Sequence, residues 1–293
     1  MVSLAALLAG HAHSGEFQTR VIATGLARPT GIVAGPGEEI YFSEIPHPGI
    51  PNAGNAVKVL DLEDRTITTL HEGEPEPVNL ALDRQGNLYW TCKSAGVILE
   101  RDEDGTTMPL LTGLQKPSGI AVDRRGNIFY TLLPTPGVPG TAGGLNSVVV
   151  FDGHDKHVLH IGEPEPQDIA VSRKGDLYWT CKTAGVILKQ DEDGNTSVLL
   201  QGLNKPMGIA LNRKGDRLYW TEVPTPGVSG ANGGQNRVWE LNLRTLKKTL
   251  VHFGDPEPTD ISVDRDGTLY WTCTSAGVIV EASRRRPYSN DKD

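Results

Sequence analysis

The chain has 293 residues, 38% of them hydrophobic and 22% charged, with a formal net charge of −8. That balance belongs to an ordinary globular protein and argues against charge-driven disorder. An acidic chain with no basic block gives no footing to nucleic acid or to an anionic membrane surface.

Residues 4–9 (LAALLA) form an apolar run far too short to span a bilayer. The run has the character of a secretory-signal remnant, with small residues before His13, but lacks a basic leading segment. Residues 1–18 are therefore set apart as an N-terminal segment, and secreted and cytoplasmic locations both stay open. The triplet Asn195-Thr196-Ser197, in an expected surface turn, is a glycosylation acceptor only in a secreted protein.

Three segments repeat closely: EPEPVNLALDRQGNLYWTCKSAGVIL from Glu74, EPEPQDIAVSRKGDLYWTCKTAGVIL from Glu163, and DPEPTDISVDRDGTLYWTCTSAGVIV from Asp255. A second type begins at Arg28, Lys116 and Lys205 and carries a proline- and glycine-rich insertion. The two types alternate, which makes six units of roughly 40–50 residues, the size of a four-stranded propeller blade. In the unit from Lys116, apolar runs at 119–122, 128–132, 147–151 and 157–161 are separated by turns such as Asp123 to Asn127. Asp, Asn and Gly supply the positive φ of such hairpins, and β-branched and aromatic alternation suits a pleated surface. The sequence thus predicts an all-β, six-bladed β-propeller over residues 19–282, followed by a polar tail, 283–293.

The last unit lacks a fourth strand, while Thr19 to Gly25 matches the fourth strands of other units. The N-terminal strand is expected to complete the last blade and remove an open edge.

The pattern Pro-x-Gly-Ile-Ala-Val-Asp-x-x-Gly-Asn, read from Pro117 to Asn127, resembles the NHL, gluconolactonase and strictosidine-synthase-like propellers. The resemblance implies the fold over nearly the whole chain. It does not select among hydrolases, cyclising enzymes and binding proteins. In gluconolactonase-type enzymes it implies metal ligands directly after the entering proline. Here those positions are Thr30, Val78, Ser118, Gln167, Met207 and Thr259, none a carboxylate.

Blade connections and second-to-third-strand loops share one face, so a site is expected in a funnel there. Arg28, Glu76, Lys116, Glu165, Lys205 and Glu257 precede the six inner strands, as a charged collar or as blade-to-blade ion pairs. Two residues past each proline stand Gly31, Asn79, Gly119, Asp168, Gly208 and Asp260. Asn79, Asp168 and Asp260 are candidates to bind substrate or to hold a divalent cation, against the alternative of capping inner-strand amides. No cofactor is expected beyond that one possible cation. Glu44, Cys92, Leu132, Cys181, Glu222 and Cys273 form a column at the top of the second strands. Glu44 and Glu222 are the candidate acid/base pair, and His47, Lys93, Lys182 and Leu132 the asymmetric contacts to a small-molecule ligand. The cysteines sit in equivalent blades, too far apart for disulfides, and are expected as buried thiols. His71, His160 and His252 are expected to be structural.

Three functions remain open: a metal-independent enzyme of acid/base, cyclising or lyase type; a lactonase-like metal-dependent hydrolase; and a non-catalytic ligand- or protein-binding propeller. In each the chain is expected to act as a monomer.

Overall fold

The computed structural model describes residues 16–46, 54–73, 76–134, 146–162, 165–223, 236–254 and 257–285. Among them, 24 strands form six four-stranded antiparallel sheets. Each sheet begins on an inner strand opened by proline: β2 (Pro29–Ala34), β6 (Pro77–Leu82), β10 (Pro117–Val122), β14 (Pro166–Val171), β18 (Pro206–Leu211) and β22 (Pro258–Val263). These define blades one to six. The second strands are β3 (Glu39–Glu44), β7 (Leu88–Cys92), β11 (Ile128–Leu132), β15 (Leu177–Cys181), β19 (Arg217–Glu222) and β23 (Leu269–Cys273).

Ring closure follows the sequence expectation. β1 (Phe17–Ala23) pairs antiparallel with β24 (Val278–Arg284), so the sixth sheet runs β1-β24-β23-β22. A two-pronged ion pair fastens this seam, with Arg20 Nε and Nη2 each 2.9 Å from Glu281 carboxylate oxygens. Phe17 is buried between blades five and six, packed with Val251 and Trp271.

The core is divided into six apolar clusters, one at each blade-to-blade junction. The Tyr-Trp pairs explain how one strand serves two of them, because side chains alternate faces along a strand. Trp90 packs back against Val57 of blade one, whereas Tyr89 packs forward against Ile120 of blade three. His71, His160 and His252 lie against Trp90, Trp179 and Trp271 at ring-centroid distances of 5.4, 5.3 and 5.4 Å, on the outer part of the blades. Cys92, Cys181 and Cys273 are fully buried and form no disulfide.

Each inner strand starts in the same irregular way. The residue before the proline is left-handed at Arg28, Glu76, Lys116, Glu165 and Lys205, with φ between 48° and 57°. Their carbonyls accept the N–H groups of Ile45, Lys93, Leu133, Lys182 and Val223, one residue past the second strand. The ladder then slips between the proline and the third residue after it in all six blades. Such bulges re-aim side chains, and these aim at the axis.

Candidate functional site

The bulge frees the N–H of the second residue after each proline, and a hydroxyl one residue before the end of the second strand takes it. Ser43, Thr131 and Thr221 accept from Gly31, Gly119 and Gly208 at 2.9, 2.8 and 3.0 Å. Thr91, Thr180 and Thr272 accept from Asn79, Asp168 and Asp260 at 3.3, 3.2 and 3.2 Å. The latter three also donate to carbonyls of the following blade: Ser118 and Met207 at 2.6 Å, and Thr30 at 2.5 Å. This buried hydroxyl ring fixes how neighbouring inner strands meet. It was missed in the sequence, although the repeated Tyr-Trp-Thr-Cys displays it.

Inside the ring, Asn79, Asp168 and Asp260 close the channel to a neck. Asn79 Nδ2 donates to Asp168 Oδ1 at 3.0 Å. Asp168 also accepts from the amides of Ile169 and Ile209, both at 2.8 Å. Asp260 accepts from Ile261 at 2.8 Å and from Ile32 at 2.9 Å. The carboxylates thus cap inner-strand amides of their own and the next blade, the alternative weighed against cation binding. Loss of water pushes Asp168 up to about 7, and Asp260 is raised well above its ordinary value by burial and by Asp168. Two buried carboxyls in contact cannot both ionise cheaply, so the pair retains a proton at neutral pH. Each carboxylate oxygen of Asp168 and Asp260 thus already accepts one backbone amide. Among the described residues, no group of three or more His, Cys, Asp or Glu side chains converges for a metal.

The alternation of glycine with Asn or Asp has a steric cause. A Cβ on Gly119 would sit 2.6 Å from the Cα of Asp168, and one on Gly208 would sit 2.7 Å from the Cα of Asp260. One blade's glycine is the seat for the next blade's neck residue.

Above the neck opens a cavity of about 340 Å³. The residues after the second strands line it: Ile45, Lys93, Leu133, Lys182 and Thr274. Glu76, Glu165, Glu257 and Arg28 form its rim, and Thr30, Ser118, Gln167 and Met207 its lower wall. Glu76 accepts a short hydrogen bond from Ser94, and Glu165 one from Thr183. Four of the six collar residues thus line the cavity, Lys116 and Lys205 do not, and Glu76 and Glu165 are braced by hydroxyls. Burial pulls the Lys93 ammonium below its ordinary value; Glu76 acts against this, while Lys116 and Lys182 add to it.

The expected acid/base pair lies elsewhere. Glu44 is 3% exposed, its carboxylate 2.6 Å from Lys58 Nζ and accepting the Ala27 amide at 3.0 Å. Glu222 is equally buried, accepting from Trp220 Nε1 at 3.1 Å with Arg237 3.9 Å away. Neither lines the cavity, and Leu132 packs into the core between blades two and three. The physical reason is parity: successive strand side chains point oppositely, and the cavity takes the residue after this column. Lys93, Lys182, Asn79, Asp168 and Asp260 do come together around the cavity. His47 lies outside the described residues.

No protein-family model matches the chain. Mouse low-density lipoprotein receptor-related protein 5 is 30% identical over 105 residues, covering 34% of this chain and 6% of that protein. A protein of Pyricularia oryzae, low-density lipoprotein receptor-related protein 1, is 26% identical over 147 residues, covering 42% of this chain and 46% of its own length. The similarity thus spans less than half the length of either curated relative. A gluconolactonase from Xanthomonas campestris superposes with a TM-score of 0.70 at 18% identity, covering 97% of this chain and 93% of that one. Virginiamycin B lyase from Staphylococcus aureus superposes with a TM-score of 0.58 at 15% identity, covering 92% and 99%. At such identities the likeness speaks for the fold. The chain is a six-bladed β-propeller, closed by its own first strand and built on the architecture that gluconolactonase and virginiamycin B lyase propellers also use.

Proposed function

We propose that the funnel is the site of metal-independent acid/base or lyase-type chemistry on a small carbonyl- or carboxylate-bearing molecule. The observation that carries this reading is Lys93, a partly buried lysine whose pKa burial lowers and which lines the same 340 Å³ cavity as Lys182. A lysine with a lowered pKa exchanges a proton nearer neutrality and serves as a general acid or base. Lys182, on the equivalent strand end two blades away, supplies fixed positive charge where an oxyanion develops. The apolar Ile45, Leu133 and Met207 keep part of the cavity dry.

The test is turnover of a panel of lactones and 2-oxo acids in the presence of a chelator. Activity that survives chelation, falls about 10²-fold in Lys93→Met and shows mainly a raised KM in Lys182→Met supports the reading. Turnover that needs a divalent cation, or is indifferent to Lys93, overturns it.

A second reading, a non-catalytic binding propeller, has its own support in the similarity to receptor-related proteins and in the near-threefold repeat. It predicts a ligand recovered chemically unchanged.

A further inference from the structure

The opposite end of the channel carries a feature unconnected with the funnel. There the inner strands run into hairpin turns that begin with Asp, Ser or Asn and continue Arg-x-Gly, so the second turn residue is arginine in five consecutive blades: Arg84, Arg124, Arg173, Arg213 and Arg265. Blade one has Pro36 in the equivalent place. Four of these arginines line one cavity of about 320 Å³. The fifth lines an adjoining one with Arg213. This is a concentration of cations at one mouth of a chain whose net charge is −8.

The turns themselves do not need this charge. Asp83 and Asp123 use Oδ1 to accept amides of their own hairpins at 2.7 to 3.0 Å. In blades four and five the same position is Ser172 or Asn212, and the neutral oxygens accept the corresponding amides at 3.0 to 3.2 Å. In those two blades the carboxylate moves to the fifth turn position, Asp176 and Asp216, where Ser172 and Asn212 donate to it outside the lining of this cavity, and the hairpin and the arginine are kept. The 320 Å³ cavity is left with four guanidinium groups against two carboxylates. Among the described residues, no ion pair or side-chain hydrogen bond engages Arg84, Arg124, Arg173 or Arg213. The like charges act on one another at Arg173, whose pKa is lowered by a small loss of hydration and by Arg124, Arg213 and Arg84.

We propose that this arginine crown is a binding site for a compact polyphosphate-class anion, entered from the face opposite the funnel. Guanidinium forks match phosphate oxygens two at a time. Four forks set around one cavity call for an anion that presents charge on several sides, as linked phosphoryl groups do.

The probe is inorganic tripolyphosphate, titrated calorimetrically into the full chain, with citrate as the polycarboxylate comparison. One site per chain is expected, tighter for tripolyphosphate than for citrate by about tenfold or more. Arg173→Gln/Arg213→Gln and, separately, Arg84→Gln/Arg124→Gln should each weaken it about 10- to 100-fold. All four positions are exposed turn residues, and unchanged urea midpoints would certify the fold. Lys93→Met should leave the affinity as it is. The proposal is overturned by absence of saturable binding, by equal affinity for citrate, by indifference to both double substitutions, or by loss on Lys93→Met, which would place the anion in the funnel.

Discussion

Replacing Asp260 by asparagine tests the proton held at the neck. In the wild-type protein Asp168 is pushed up to about 7 from 3.8, and Asp260 is raised well above its ordinary value, because both carboxyls are buried in contact. A group whose pKa rises on folding stabilises the fold while it is protonated. That contribution is complete below the unfolded value near 4 and is lost as the pH climbs through the folded value. At 1.36 kcal/mol per pH unit, the Asp168 displacement alone amounts to roughly 4 kcal/mol between about pH 4 and pH 8. Asp260→Asn removes one of the two acids and leaves an amide that can donate to Asp168, the role Asn79 already fills from blade two at 3.0 Å. The amide nitrogen cannot accept, so the N–H of Ile32 or Ile261 loses a partner, at a cost of about 1 kcal/mol. The variant should therefore be somewhat less stable than wild type at pH 5 and more stable at pH 8. Urea denaturation at half-unit intervals between these limits gives both curves. If the two curves run parallel across this range, the carboxyls do not share a proton and the reasoning about the neck fails.

Other consequences of the packing can be checked by the same denaturation assay. Gly208→Ala places a methyl 2.7 Å from the Cα of Asp260 and should cost more than about 2 kcal/mol, whereas Gly37→Ala, with nothing within 4 Å, should be neutral within about 1 kcal/mol. Thr180→Val breaks a buried blade-to-blade hydrogen bond of 2.6 Å and leaves the Asp168 amide without its hydroxyl, a loss of about 1–3 kcal/mol. Lys58→Met strands the Glu44 carboxylate, which is 3% exposed, and should cost about 3 kcal/mol. Adding Glu44→Gln should recover part of that loss; strict additivity would show that the pair is not coupled.

The fold was legible because it is periodic. Six entering prolines, six hairpin turns and a missing last strand specify the ring, and the Thr19 to Gly25 match specifies its closure, observed as β1 on β24. The site was legible in its residues but not in their direction. The bulge after each proline and the carbonyl contact to the residue past the second strand shift the axial positions by one. That shift sends Glu44 and Glu222 into ion pairs and Lys93 and Lys182 into the cavity. A repeat fixes which residues are equivalent, whereas a single-residue change of parity depends on local hydrogen bonding that repeats alone do not display. The arginines of the far mouth were overlooked for another reason: in a turn motif they read as ordinary surface charge, and only the closed ring brings residues of distant sequence position to one opening.

The proposed chemistry of the funnel turns most directly on the ionisation of Lys93. In protein carrying ¹³C-methylated lysines, with the Lys93→Arg variant to identify the resonance, the Lys93 amine should titrate clearly below 10.5. Titration at or above 10.5 would mean an ammonium in open water or held in an ion pair, and the proposed proton-transfer group would be lost.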